Sequence, residues 1–231
     1  MKLPPVSMMV AMTPKGVIGN KGSMPWHLAR DMKRFVKFTT NSAVVMGPKT
    51  YASLPPKHRP LKNRLNIVLT SNRDYKPEPD VLVAHNPSQA LELAAIKGWH
   101  EFFVIGGAMV YMSFLQYAET LYVTYVDADI KGDTYFPHWE KEDWREVWLE
   151  SEWKQPEGDH YPTRFAEYRR VIHATPTKEI SWRHPDELRA KMLEKPKEPE
   201  KIPYQAPKKT KKKAAKKHKP KIRARKKKAR R

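Results

Sequence analysis

In the stretch HLARDMKRF (27–35), Asp31 follows Leu28 by three residues and precedes Phe35 by four. That spacing sets its carboxylate on the apolar face of a helix. A charge there is costly unless a partner satisfies it. Two readings fit the position: an early-helix acid favoured by the macrodipole, or a pocket carboxylate that binds an amidine-like edge and influences its protonation. A second constellation is the run FFVIGGAMVY, where an apolar strand meets Gly106-Gly107 and then a helix beginning near Ala108. Glycines there allow a ligand close to the backbone, and a helix N-terminus favours phosphate. Strand-to-helix turns use glycine for other reasons too. The pattern is neither G-x-G-x-x-G nor a Walker A loop, and GPKT (47–50) lacks that loop's second glycine. Lys49 and Thr50 are a candidate phosphate pair, or a solvated lysine and a helix cap. Arg64, next to the strand LNIVLTS, is suited to a bidentate hold on a carboxylate.

The elements that must position these residues are visible as apolar runs at 6–12, 42–47, 65–71, 81–84, 102–106 and 121–128. Several are continuously apolar, as strands covered on both faces are. Helical patterns at 28–38, 87–97 and 108–117 lie between them, which predicts crossover units and a largely parallel sheet. WREVWLESEW (144–153) and RFAEYRRV (164–171) flank a turn-rich stretch and predict a closing antiparallel hairpin. The expected fold is α/β: a mixed, mainly parallel sheet of about eight strands flanked by helices, within one domain at 1–173.

Beyond it, 174–206 reads as a charged, proline-rich linker with a possible short helix. Residues 207–231 hold 16 of the 45 Lys and Arg and no acid, and read as a disordered tail. The rest of the chain has 29 basic against 25 acidic groups, so it is a near-neutral body with a cationic extension. With no cysteine, disulfides, thiolate catalysis and cysteine-held metals are excluded. The nine histidines have no metal-ligand spacing, so no metal is expected. No apolar run reaches membrane-spanning length and the N-terminus does not read as a secretory signal, so the expectation is a cytoplasmic, membrane-free protein.

The segments GVIGNKGSMPWHLARDMKRF, VVMGPKTYASLP, RPLKNRLNIVLTS, FFVIGGAMVY and LYVTYVDADIKGDTYFP, in that order, resemble dihydrofolate reductase from about Val6 to Val171. The resemblance implies a dihydrofolate reductase-like fold and reduction of dihydrofolate to tetrahydrofolate with NADPH. It makes Asp31 the carboxylate that holds the pteridine edge and promotes its protonation, with Thr124 in the same hydrogen-bond network. Met24 and Trp26 fall on a mobile loop over the reacting rings, where both are expected to face a ligand rather than a core. Met9, Val10, Met32, Phe35, Leu54, Leu61 and Ile105 would line the folate pocket, with Arg64 gripping the glutamate α-carboxylate. Ala11, Ile18 and Gly19 would flank the nicotinamide, with Tyr111 near it. Gly106, Gly107, Ala108, Met109 and Val110 would take the pyrophosphate. Gly47, Lys49, Thr50, Leu69, Thr70 and Ser71 would complete the cofactor side.

The pattern departs at Pro48 and Met109, where relatives often carry a cation. NADPH remains the expected cofactor, with Lys49 and Arg73 or Arg59 making up the charge. The tail has no counterpart in the family. Its cations without aromatics predict non-specific DNA or RNA binding by counterion release, against a nuclear-targeting signal or an acidic partner. A monomer is the working expectation. Two further readings stay open: a related pterin or pyrimidine reductase, and a nucleic-acid-binding protein with an inactive reductase body.

Overall fold

The apolar runs become six strands of one sheet, in a computed structural model that describes residues 2–171. The linker and tail assigned to 174–206 and 207–231 lie outside the described residues. In chain order the strands are β1 (Val6–Met12), β2 (Val17–Gly19), β3 (Ala43–Met46), β4 (Leu65–Leu69), β5 (Val81–Ala84), β6 (Phe102–Val104), β7 (Ala118–Val126), β8 (Thr134–Tyr135), β9 (Trp144–Leu149) and β10 (Thr163–Arg170). Four helices accompany them: α1 (Ala29–Thr39), α2 (Pro48–Ser53), α3 (Pro87–Ile96) and α4 (Ala108–Phe114).

Eight strands form the main sheet in the order β5-β4-β3-β6-β1-β7-β10-β9. Pairing is parallel from β5 through β7, and β10 then runs antiparallel to both β7 and β9. The expected mixed, mainly parallel sheet of eight strands is therefore observed. β2 and β8 pair separately. That small sheet is absent from the sequence reading because neither strand exceeds three residues. Gly132 just before β8 is packed so closely on β2 that a Cβ there would lie 2.3 Å from Val17 Cγ1 and 2.5 Å from the Gly19 carbonyl.

The strands are buried because side chains of both faces have cover. On β1 the alternation sends Val6, Met8, Val10 and Met12 into one core with Val45, Ile67, Val104 and Phe114. Met9 points the other way, into a second core with Val44, Met46, Tyr51, Leu61, Val68 and Phe103. Each such side chain fully buried contributes roughly 1.5–3 kcal/mol.

Helix boundaries follow local chemistry. Asn86 caps α3 by accepting from the Gln89 N–H, with Pro87 in the first turn. The helix expected to run to 117 ends at Phe114, because Arg170 donates to the carbonyls of Leu115 and Ala118 and draws the chain into β7 three residues early. β9 stops at Leu149 rather than continuing to 153.

Candidate active site

α1 starts without a capping side chain of its own, since its N-cap residue is Leu28. Asp159, between β9 and β10, supplies the acceptor instead: its Oδ1 takes the N–H of Ala29 at 2.5 Å and of Arg30 at 3.3 Å. So anchored, α1 lays Asp31 beside β7, where the Thr124 hydroxyl donates to Asp31 Oδ1 at 2.6 Å. The Asp31 side chain is 16% exposed. Burial pushes its pKa above the usual carboxylate value, and the Thr124 hydrogen bond and the Arg34 guanidinium pull back against that, while Asp159 adds to the rise. The geometry is that of a carboxyl that keeps its proton to higher pH than a free one does, set against an apolar wall.

The wall is the second core. Met9 and Leu61 are buried in it, and Phe35, Leu54 and Ile105 pack against it. These five expected pocket residues are brought together. Val10 is not: β1's two-residue period turns its side chain to the opposite face, into the first core. Met32 stands 42% exposed on α1. Arg64 lies at the rim, its guanidinium carbon 5.8 Å from the Phe35 ring centre, donating to Thr39 Oγ1 at 3.0 Å. It lines a cationic depression of about 440 Å³ with Lys57, Arg59 and Lys62.

The loop ahead of α1 departs from expectation at Trp26. Met24 is 58% exposed, but Trp26 is 7% exposed and packs with Leu28 and Val126, bordered by Ala11 and Tyr161. An indole preceding a helix with an apolar N-terminus finds cover in the protein, so this residue roots the loop rather than facing outward. Its indole nitrogen Nε1 is nonetheless buried without a hydrogen-bond partner among the described residues. The loop's other end is tied by the Lys21 N–H donating to Asp133 and by β2–β8 pairing, which carries Ile18 and Gly19.

Where β3 and β6 end, two helices start together. The Gly47 N–H, at the N-cap of α2, donates to the Gly106 carbonyl at 2.8 Å. Gly107 is the N-cap of α4, and a Cβ on it would lie 3.4 Å from Thr50 Oγ1. Neither helix start has a side-chain cap, and Ala108, Met109 and Val110 follow in α4. The Gly106–Gly107 peptide is cis, and Gly106 has φ +108°. A side chain at Gly106 would come within 3.0 Å of the Tyr111 ring. Tyr111 is buried, which holds its phenol neutral, and its hydroxyl donates to the Met9 carbonyl at 2.7 Å. Its ring is thus a fixed wall between the glycine turn and β1.

Pro48, where a cation was missed in the sequence, takes the first position of α2, which suits its fixed φ. α2 itself is not among the helices read from sequence, since six residues are too few to show a period. Lys49 is exposed; Leu69 ends β4, and Thr70 and Ser71 follow it. Arg59, one of two suggested replacements for the lost charge, is committed elsewhere: it pairs with Glu78 at 3.4 Å and donates to the Ala52 carbonyl.

Sequence reading missed three charged residues altogether. Glu150 is 7% exposed and receives two hydrogen bonds from Arg30. It also accepts from Arg34 and the Phe165 N–H. Burial alone would raise its pKa, but these partners more than offset that and hold the carboxyl below its usual value. Asp159 is the third centre, with Arg34. Glu150 and Asp159 meet α1 across more than a hundred residues of sequence, and Arg34, on α1 itself, has its role set by Glu150, so no local spacing signals them.

Among the described residues no cluster of His, Asp and Glu is arranged to hold a metal, and no helix is long and apolar enough to cross a membrane. A sequence profile described as dihydrofolate reductase matches residues 5–170. The chain is 38% identical over 140 residues to the dihydrofolate reductase of Buchnera aphidicola subsp. Baizongia pistaciae, covering 61% of this chain and 82% of that protein. It is 34% identical over 166 residues to that of Staphylococcus haemolyticus, covering 72% and 96%. A solved structure of dihydrofolate reductase from Enterococcus faecalis, complexed with NADP(H) and RAB-propyl, superposes with a TM-score of 0.64 at 34% identity, covering 72% of this chain and 96% of that one.

Proposed function

The chain belongs to the dihydrofolate reductase family, and from that premise we propose that it reduces 7,8-dihydrofolate to tetrahydrofolate with NADPH at the Asp31 pocket. The observation that carries the proposal is the Asp31–Thr124 pair, one polar couple held at 2.6 Å against an apolar wall.

NADPH, when bound, supplies the hydride. The residues present fit that cofactor: two uncapped helix starts leave backbone N–H groups for its pyrophosphate, and Gly47, Gly106 and Gly107 keep the approach free of side chains. Lys49, Thr50, Thr70 and Ser71 would meet its remaining phosphate. Ala11, Ile18, Gly19 and Tyr111 would bound the nicotinamide.

Asp31 holds the pteridine amidine edge through its free oxygen, while Thr124 fixes the other. A carboxyl with its pKa raised by burial keeps its proton to higher pH than a free one and so promotes pteridine protonation. Met9, Phe35, Leu54, Leu61 and Ile105 stack the ring and exclude water, and Arg64 meets the glutamate carboxylate. Met24 and the loop rooted by Trp26 close over the site.

The test is oxidation of NADPH that depends on added dihydrofolate. Asp31→Asn slows turnover severely at neutral pH and much less in acid, where solvent protonates the substrate. A variant whose pH profile matches the parent's rejects the role of Asp31. The tail at 207–231, outside the described residues, adds non-specific nucleic-acid binding, a reading supported by its 16 cations without aromatics.

A further inference from the structure

A buried chain of charges behind the pocket carboxylate belongs to neither the substrate wall nor the cofactor turn. Arg34 follows Asp31 by three residues on α1, so its guanidinium returns toward the same face. Its carbon sits 3.9 Å above the centre of the Phe165 ring on β10. One nitrogen reaches Glu150 Oε1 at 3.4 Å. The other lies 3.4 Å from Thr124 Oγ1 and 3.9 Å from Asp31 Oδ1.

Those contacts define a direction. Arg34 can only donate, so Thr124 Oγ1 is its acceptor and the hydroxyl proton is left to point at Asp31. A hydroxyl held as donor favours the carboxylate over the carboxyl. Glu150, gripped in turn by Arg30, keeps Arg34 from swinging out to solvent.

We infer that Arg34, clamped by Glu150 and the Phe165 ring, is a positioning residue that orients Thr124 and sets the charge balance around Asp31. The inference rests on the proposed role of Asp31. The groups facing Asp31 are Arg34 from its own helix, Thr124 from β7, Tyr111 from α4 and Asp159 before β10, while Glu150 and Arg30 act on Arg34 behind it.

The two ends of the clamp act with opposite sign. Arg34→Met removes a cation and the hydroxyl's orientation, so Asp31 is harder to ionise. Glu150→Gln keeps the shape but removes an anion, leaving Arg34 beside Asp31 without its counter-charge, so Asp31 ionises more easily.

The experiment follows the Asp31 carboxyl carbon by ¹³C NMR through a pH titration of the full chain without substrate, so its outcome does not depend on turnover. The midpoint moves up in Arg34→Met, down in Glu150→Gln, and returns toward the parent in Arg34→Lys. In assays, turnover retained at about pH 8 relative to about pH 6 rises at least about threefold in Arg34→Met, where tenfold corresponds to 1.36 kcal/mol. It falls in Glu150→Gln. Should Arg34→Met not fold, Arg34→Lys and Glu150→Gln still decide the sign. Midpoints that stay fixed, or that move the same way in both charge-removing variants, overturn the inference. Shifted midpoints with no dihydrofolate-dependent turnover in the parent leave the clamp standing and reject the proposed activity instead.

Discussion

The pocket carboxylate is also a liability to the fold, and the sign follows from its environment. Asp31 has its folded-state pKa raised, chiefly by burial. The folded protein therefore binds its proton more tightly than the unfolded chain does. Stability from this group is fully present below the ordinary carboxylate range and is lost as pH rises through the folded pKa. At neutral pH Asp31 works against folding. Asp31→Asn keeps an oxygen for Thr124 to donate to and removes the buried charge. The variant is expected to melt at a higher temperature than the parent at pH 7, with the gap closing in acid, in thermal melts across pH. A variant less stable than the parent at neutral pH, or a gap that does not vary with pH, rejects this account. The same substitution thus gains stability where it loses turnover, which separates the two effects in one protein.

At the scale of elements, the site depends on how α1 begins. Its Leu28 N-cap offers no acceptor, and Asp159 provides one from 130 residues away, with its second oxygen buried and unpaired among the described residues. Asp159→Ala leaves the first turn of α1 uncapped and is expected to cost about 0.5–2 kcal/mol. The loss appears as a lower denaturation midpoint at unchanged slope. Because α1 carries both Asp31 and Arg34, the Michaelis constant for dihydrofolate rises as well. Asp159→Asn retains an acceptor and recovers most of both. Equal losses in the two variants point to charge rather than capping. This dependence explains what was legible beforehand. The continuous runs VSMMVAM and LNIVLTS announced central strands, and Asp31 stood out through its spacing from Leu28 and Phe35. The glycine pair stood out between the FFVI strand and a helix, and Thr124 came through an ordered series of motifs. Asp159, Glu150 and Arg34 did not, since their meaning lies in contacts between the β9–β10 region and α1. Trp26 misled because its surroundings, Val126 and Tyr161, are equally remote in sequence.

For the whole molecule, the decisive asymmetry is charge. A body that is nearly balanced carries an extension in which 16 of 25 residues are cationic and none is acidic. Within the body, cations near the site are held in specific geometry: Arg30 and Arg34 on Glu150, Arg59 on Glu78. The extension has one isoleucine and a few alanines as its only apolar side chains and no aromatics to stack bases, so its attraction to polyanions follows from charge density. Binding of that kind releases counterions, and log K falls linearly with log salt, steeply for many phosphate contacts. Removing 207–231 is therefore expected to abolish retention on DNA or RNA at low salt while kcat for dihydrofolate is unchanged. The full chain should elute progressively as salt rises and show no preference between unrelated duplex sequences. Retention unaltered by the deletion transfers nucleic-acid binding to the body and rejects the assignment. A fall in kcat on deletion instead makes the extension part of the reductase, because its removal would then be acting on the chemistry at Asp31.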